Sequence, residues 1–187
     1  MIGYACINMK LSNQKPRVYT GRSMIKRTFE QKGIRYASEL GLQNCKDLME
    51  IIKWNNEHDF KFFRITSNLF PWCSEYRLQD MPDYMEIKST LREIGEYVKE
   101  NQMRITSHPG PFNVLTSPHE HVVQNCIKDL STHGEVFDMM NLSRTPWNKI
   151  NIHIGGVYGD KISAMERFCK NFPRLPESVR SRLTVEN

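Results

Sequence analysis

The chain has 187 residues, of which 39% are hydrophobic and 25% are charged, as in an ordinary globular protein of one domain. We therefore expect a single domain over residues 1–187. No apolar run approaches the roughly 20 residues that cross a bilayer, so the sequence excludes an integral membrane protein. The N-terminus has no basic region followed by an apolar stretch, and the five cysteines form no C-x-x-C pair. These features predict a reduced protein inside the cell, in the cytoplasm or nucleus, that is not secreted.

The positive charge of the chain is concentrated in residues 10–35. This segment has a net charge of +7, which leaves −2 for the rest of a chain whose total is +5. Its basic residues are Lys10, Lys15, Arg17, Arg22, Lys26, Arg27, Lys32 and Arg35. Such a stretch suits contacts to a nucleic-acid phosphate backbone, because each neutralised phosphate releases counterions. The alternative is a solvated, partly disordered loop that keeps the protein in solution.

Strands and helices alternate along the chain. Apolar and β-branched runs predict strands at residues 2–7, 60–66, 103–108, 149–154 and 183–186, and helical spacing predicts helices at 44–55, 84–100 and 161–172. A further helix is predicted to start at Ser117, with Pro118 in its first turn and Glu120 closing a capping box. This order implies a parallel sheet, either doubly wound or an incomplete TIM-type (β/α) barrel of about five units. The absence of G-x-G-x-x-G after the first strand argues against a dinucleotide-binding fold.

Three potential metal ligands occur at successive strand ends. His108 ends the third predicted strand, His153 lies in the fourth, and Glu186 ends the fifth. Each is one strand–helix unit from the next, so a parallel barrel would bring them to neighbouring positions at its carboxyl rim. Two imidazoles and a carboxylate suit a divalent metal such as manganese, iron or zinc.

The other histidines and Lys161 are weaker candidates. His119 and His121 lie in the first turn of a helix and are expected to face different directions, which disfavours a joint metal site. We interpret His58 and His133 as structural residues near helix ends, where a cation complements the dipole. Lys161 could bind phosphate, although a lysine there is more often a solvated residue at a helix start.

Five motifs, in this order and spacing, make the sequence similar to the UV damage endonuclease family over essentially the whole chain. They are GYACIN at residues 3–8, LMEIIKWN at 48–55, FRITSNLFPW at 63–72, SHPG at 107–110 and HIGGVYGDK at 153–161. The resemblance implies a TIM-barrel DNA repair endonuclease that depends on metal. Enzymes of this family nick the phosphodiester bond 5′ of pyrimidine dimers and thereby start excision repair. Double-stranded damaged DNA is then the expected partner.

The resemblance also implies roles for individual residues. His108, His153 and Glu186 would be catalytic metal ligands, and Mn²⁺ is the expected metal. Tyr4 and Asn8 would contact the lesion or its phosphate. Further expected DNA contacts are Lys10, Arg17, Arg22, Pro111, Phe112 and Lys161.

The chain departs from the family pattern in three ways. After His-Pro-Gly the family usually has glutamine and an aromatic residue that probe the duplex, whereas this chain has Pro111 and Phe112. Phe112 can still stack on a base, but Pro111 has no side-chain donor. Glu75 occupies a position where the family tends to have histidine. Family members also continue through three further strands with more metal ligands, so we expect an incomplete metal cluster, a missing C-terminal half and little or no activity of this chain alone.

Two other functions are compatible with these observations. One is a different metal-dependent barrel enzyme, such as a sugar isomerase or an abasic-site endonuclease. The other is a catalytically inactive DNA-binding remnant, which the missing strands and Pro111 favour. The 63–72 motif and the basic segment 10–35 favour the UV damage endonuclease, and metal content and nicking activity would separate the three.

Overall fold

The computed structural model describes residues 1–186 as one five-stranded parallel sheet with helices between the strands. The strands are β1 (Gly3–Ala5), β2 (Phe62–Ile65), β3 (Arg104–Ser107), β4 (Ile150–His153) and β5 (Leu183–Glu186). All five predicted strands are confirmed, the first four with shorter ends and the fifth with the predicted bounds, and every neighbouring pair is parallel. The strand order is β1-β2-β3-β4-β5. An order without reversal is that of a barrel, because doubly wound sheets reverse direction at a switch point.

Six α-helices accompany the strands in the described residues. They are α1 (Met9–Ser12), α2 (Lys26–Glu57), α3 (Tyr84–Glu100), α4 (Glu120–Met139), α5 (Lys161–Asn171) and α6 (Glu177–Arg180). The predictions for α3 and α5 are confirmed to within one residue at each end. The fold is therefore α/β, with about five strand–helix units of an incomplete barrel.

The prediction for α2 was too short, because the helix starts at Lys26 rather than near residue 44. Its additional buried positions include Ala37, Ser38 and Gly41, which are small or polar. A face of this kind gives no apolar periodicity, so it was invisible in the sequence pattern. A break at Gly33, where φ is +62°, also interrupts the helix. The second half of the basic segment is consequently helical rather than a loop.

The predicted capping box at Ser117 is wrong. The Ser117 hydroxyl accepts a hydrogen bond from the His119 backbone N–H at 3.1 Å, and His119 is the residue that precedes the first turn of α4. The short turn at Ser117 therefore ends before the helix begins. The rings of His119 and His121 lie 5.9 Å apart between centroids, so the expectation that they face different directions is also wrong.

The prediction that His133 lies near a helix end is wrong. The residue lies inside α4. It is 6% exposed, and burial lowers its pKa because an apolar environment disfavours the charged imidazole. A cation interacting with the helix dipole is therefore the wrong explanation for this residue. His58 does follow the end of α2, where its Nδ1 bonds to the Trp54 carbonyl at 2.8 Å and its ring stacks on the Trp54 ring at 3.8 Å.

The hydrophobic core lies between the sheet and the helices. Strand residues that face it are Phe63, Ile65, Ile105, Ile150 and Ile152, and the helices contribute Leu48, Ile51, Ile52, Ile87, Leu91, Ile94, Leu130 and Phe137. The alternate strand residues point away from the helices, toward the interior that a complete barrel would enclose. The site described next is built on that face and at its carboxyl edge.

A buried arginine fixes the start of β5. Arg182 is 0% exposed, and its guanidinium donates to the Ser143 carbonyl at 3.0 Å, the Leu142 carbonyl at 2.6 Å and the Ser178 carbonyl at 2.8 Å. It also forms an ion pair with Asp138 at 2.8 Å. These contacts join β5 to the end of α4, to the loop after it and to α6. They therefore set the position of the strand that ends in Glu186.

The sequence excluded a membrane-spanning segment and predicted a reduced protein. No helix in residues 1–186 has an apolar stretch that could reach across a bilayer. All five cysteines are free thiols.

Candidate metal centre

The structure brings His108, His153 and Glu186 together at the carboxyl edge of the sheet. Their ligand atoms all lie within 4.8 Å of one another. His108 Nε2 is 2.8 Å from Glu186 Oε1, and His153 Nδ1 is 3.6 Å from the same oxygen. In the described residues, no other group of three such side chains has this arrangement. The parallel register places His153 directly opposite Glu186, which explains the convergence.

The hydrogen bonding of His108 indicates that the site fits a cation. His108 Nδ1 lies 3.0 Å from the Pro109 carbonyl, which can only accept a hydrogen bond, so Nδ1 carries a proton. His108 Nε2 faces the Glu186 carboxylate at 2.8 Å, so a cation at this point would meet a nitrogen and an oxygen ligand together. A histidine whose second nitrogen donates to a carbonyl is also typical of metal ligands.

Asn151 orients the carboxylate of Glu186. Its Nδ2 donates to Glu186 Oε2 at 2.5 Å, and its Oδ1 accepts from the Thr184 hydroxyl at 2.6 Å. Hydrogen bonds from His108 and then Asn151 hold the pKa of Glu186 below its ordinary value. The carboxylate is therefore ionised, as a metal ligand must be. We missed Asn151 in the sequence, although its position two residues before His153 places it on the same strand face.

The interior face beside His108 and Glu186 is open and carries several polar side chains. A cavity of about 300 Å³ lies next to His108 and Glu186, and its lining also includes Arg64, Thr106 and Lys149. It is separate from a cavity of about 360 Å³ that is lined by Phe112 and Asp129. Arg64 Nε and the Thr106 hydroxyl are buried and have no hydrogen-bond partner within residues 1–186. Barrel interiors are usually filled with branched apolar side chains. This face therefore offers polar groups that lack a partner among the described residues, beside apolar ones such as Ala5 and Phe62.

Tyr4 and Asn8 bond to each other and to the helices. The Tyr4 hydroxyl donates to Asn55 Oδ1 at 2.5 Å and accepts from Asn8 Nδ2 at 2.7 Å. Asn8 also caps α1 by accepting from the Leu11 N–H at 3.0 Å, and it is only 4% exposed. Burial raises the pKa of Tyr4. Their contact with a lesion stays a prediction, and these internal bonds would have to be exchanged for it.

The basic residues predicted to contact DNA differ in their exposure and in the contacts that their side chains already make. Lys10 and Arg17 are exposed, and the Arg17 guanidinium lies 4.1 Å from the centroid of the Tyr19 ring. Arg22 instead forms an ion pair with Asp47 at 2.7 Å and donates to the carbonyls of Tyr19 and Arg17. Arg22 therefore stabilises the loop that carries the other basic residues.

Phe112, Pro111, Glu75 and Lys161 all have exposed side chains. Phe112 is 68% exposed, four residues beyond His108 on the same edge of the sheet. Lys161 is the first residue of α5, where the Asp160 carboxylate accepts from the N–H groups of the next two residues, Ile162 and Ser163. The Asp160 cap occupies amides that a phosphate would need, so a phosphate contact at this point depends on the Lys161 side chain.

Comparison with known proteins shows the family of this chain. The family model for UV-endonuclease UvdE matches residues 1–187. A protein of Acanthamoeba polyphaga mimivirus is 37% identical over 187 residues, covering 100% of this chain and 56% of that protein. The UV-damage endonuclease of Schizosaccharomyces pombe is 35% identical over 189 residues, covering 100% of this chain and 31% of that protein.

A solved structure has a similar fold. The crystal structure of SacUVDE superposes with a TM-score of 0.83 at 31% sequence identity, covering 100% of this chain and 60% of that one. The chain thus spans between 31% and 60% of the length of these three proteins. This likeness confirms the incomplete, TIM-barrel-like α/β fold. The chain belongs to the UV-endonuclease family.

Proposed function

We propose that this chain is the metal-holding part of a UV damage endonuclease, which cuts the DNA backbone 5′ of pyrimidine dimers. The observation that carries the proposal is the convergence of His108, His153 and Glu186 in a member of this family. Family membership also favours DNA over a sugar as the substrate.

The three side chains would hold a divalent metal, and Mn²⁺ is the one we propose. When bound, such an ion neutralises charge on the phosphate and lowers the pKa of an attacking water. Glu186 contributes an ionised carboxylate, fixed by Asn151. His108 contributes Nε2, aimed by the bond from its Nδ1 to the Pro109 carbonyl. His153 and Glu186 are about half exposed, which leaves room for a phosphodiester at the site.

The exposed side chains around the site would bind the duplex. Lys10, Arg17 and Lys161 carry positive charge for phosphate contacts, and Phe112 is free to stack on a base. Pro111 lies beside that ring and offers no hydrogen bond from its side chain. We therefore propose that this chain recognises damaged duplex less selectively than family members with glutamine at this position.

The rest of the barrel would come from a C-terminal part. Two observations support this: the relatives are longer, and β1 and β5 have no partner strand on their outer sides within residues 1–186. Exposed apolar side chains on α5 and β5, namely Ile162, Met165 and Val185, suit a further strand–helix unit packed beside them. Such a part would add ligands that three residues alone do not supply.

The test is a nicking assay on supercoiled plasmid with Mn²⁺. A form that includes the C-terminal part is expected to convert UV-irradiated plasmid to nicked circles and to leave unirradiated plasmid intact. The 187-residue chain alone is expected to be inactive or nearly so. Equal nicking of both plasmids would contradict the proposed substrate, and robust lesion-specific nicking by the 187-residue chain would contradict the proposed incomplete site.

Replacing Pro111 by glutamine is expected to increase the preference of the chain for irradiated over unirradiated duplex. One added hydrogen bond is worth about 1 kcal/mol, so the ratio of the two dissociation constants should rise about fivefold. Competition binding with both duplexes measures this ratio. Pro118→Gln, at an exposed position before α4, is the matched control. An unchanged ratio in Pro111→Gln would contradict the role proposed for this position.

The second candidate, an inactive DNA-binding remnant, has Pro111 in its favour. It predicts the same phosphate contacts without metal-dependent nicking in any form of the protein. The plasmid assay therefore separates the two functions.

A further inference from the structure

The turn that carries Phe112 is tied to α4 by one carboxylate. Asp129, on α4, accepts a hydrogen bond from Asn113 Nδ2 at 2.7 Å. The same Nδ2 donates to the Gly110 carbonyl at 3.1 Å, and the Asn113 backbone N–H also donates to that carbonyl at 3.1 Å. Gly110 and Asn113 belong to one turn, so these two bonds stabilise the turn and do not connect it to another element. The bond to Asp129 is the polar contact that attaches the turn to the helix layer.

Asn113 depends on Asp129 because it has little access to water. The residue is 2% exposed, and its Oδ1 is buried with no hydrogen-bond partner in the described part of the chain. Its Nδ2 therefore accounts for all of the side chain's hydrogen bonding. A bond to an ionised acceptor is stronger than one to a neutral acceptor, and a buried donor without its partner is costly.

The orientation of the Phe112 ring follows from the shape of this turn. The ring lies across the turn backbone, since a Cβ atom added to Gly110 would be only 2.5 Å from Phe112 Cζ. The ring is nevertheless mostly exposed and forms one wall of the 360 Å³ cavity. Residues that line this cavity include Met24, Phe70, Trp72, Cys73 and Asp129. A shift of the turn would therefore move the ring relative to this cavity and to the surface.

Asp129 also fixes the neighbouring loop on the same side of the sheet. The Cys73 thiol donates to its Oδ1 at 3.1 Å, from the turn that follows β2. The loop after β2 and the loop after β3 thus share one partly buried acceptor, and this carboxylate fixes the spacing between them.

We propose that Asp129 is a positioning residue for DNA recognition: it holds the Gly110–Asn113 turn so that Phe112 is presented to the duplex. The inference rests on the proposed function, in which this edge of the sheet meets DNA. Asp129 acts through Asn113 and Phe112 and does not touch the substrate or the metal ligands.

The experiment uses the 187-residue chain and a mismatched DNA duplex with 2-aminopurine at the mismatch. Emission from this base rises when the base unstacks, so it reports insertion of a side chain rather than phosphate binding. Asp129→Asn keeps the shape of the side chain and removes its charge, while Asn113→Ala breaks the same link from the turn. Glu120→Gln removes one charge from an exposed position on the same helix and is the matched control. Measurements are made at low salt with protein in excess.

Asp129→Asn and Asn113→Ala are each expected to lower the emission gain about five- to tenfold, toward the level of Phe112→Ala. Glu120→Gln should keep the wild-type gain. In the Phe112→Ala background, Asp129→Asn should have no further effect, which a general loss of structure would not produce. Thermal unfolding checks that each variant is folded. If Asp129→Asn is not folded, the emission gain of Asn113→Ala tests the proposal instead.

Two results would overturn the proposal in distinguishable ways. If Phe112→Ala lowers the gain and the folded Asp129 and Asn113 variants do not, Asp129 does not position the ring. If Phe112→Ala itself leaves the gain unchanged, the proposed contact of Phe112 with DNA fails, and the inference fails with it.

Discussion

Replacing His108 by alanine is expected to lower the rate of metal-dependent nicking by more than about 100-fold in a form with the C-terminal part. His108 Nε2 lies 2.8 Å from Glu186 Oε1, so the substitution removes one of the three proposed ligands together with the imidazole that lies against the carboxylate. Loss of groups that merely orient metal ligands already costs about 10- to 100-fold, and loss of a ligand should cost more. Initial rates on irradiated plasmid with Mn²⁺ measure the effect. His121→Ala, an exposed histidine outside the site, is the control.

DNA binding by the same variant should be unchanged. The phosphate contacts proposed for residues 10–35 would not involve His108, His153 or Glu186, so the affinity for duplex should fall steeply with salt in both proteins. Filter or fluorescence binding between about 50 and 200 mM salt gives the two slopes. A His108→Ala variant that nicks at the wild-type rate, or that loses DNA binding, would contradict the separation of these two roles.

Replacing Arg182 by alanine is expected to lower the free energy of unfolding by about 3 kcal/mol or more. The substitution leaves the Asp138 carboxylate without this partner and removes the donor from three carbonyl groups. Asp138 keeps its ion pair with Arg144 at 2.7 Å, so most of the cost comes from the carbonyl groups, because a buried acceptor without its donor costs about 1 to 3 kcal/mol. Urea denaturation followed by circular dichroism measures the change.

Arg180→Ala is the matched control for this prediction. Arg180 is two residues earlier and forms an exposed ion pair with Glu177, and exposed pairs contribute about 0 to 1 kcal/mol. If the two variants unfold at the same urea concentration, the buried contacts of Arg182 do not stabilise the fold as inferred. Because Arg182 precedes β5, a destabilised Arg182 variant should also bind metal more weakly through Glu186.

The strands were predictable because each is a short apolar run between turn residues, with parallel order following from the intervening helices. The run at residues 103–108 shows this, since Ile105 faces the core and Thr106 the interior. The first half of α2 was not predictable, because Ser38 and Gly41 are buried there without an apolar pattern. The start of α4 was misplaced because Ser117 forms a local turn that competes with the helix cap.

The convergence of His108, His153 and Glu186 was predictable for a different reason. Parallel strands end at one edge, so a histidine or carboxylate at consecutive strand ends must approach its neighbours. The residues that fix nearby side chains and loops were missed, because their hydrogen bonds join elements that are distant in sequence. Asn151 bonds to Glu186, and Asp129 bonds to Asn113 and Cys73. No local spacing marks such pairs, and their contacts appear only when the loops and helices are assembled.

Titration of the 187-residue chain with Mn²⁺, followed by the electron paramagnetic resonance signal of the free ion, tests the proposed metal centre most directly. The wild-type chain should remove free Mn²⁺ from solution with a stoichiometry of about one, with weak affinity, since only three of its side chains would be ligands. Glu186→Gln, which keeps the side-chain shape, should abolish this binding, and Glu177→Gln on the surface should not. Equal binding by the wild-type chain and Glu186→Gln, or none by either, would contradict the assignment of His108, His153 and Glu186 as the metal site.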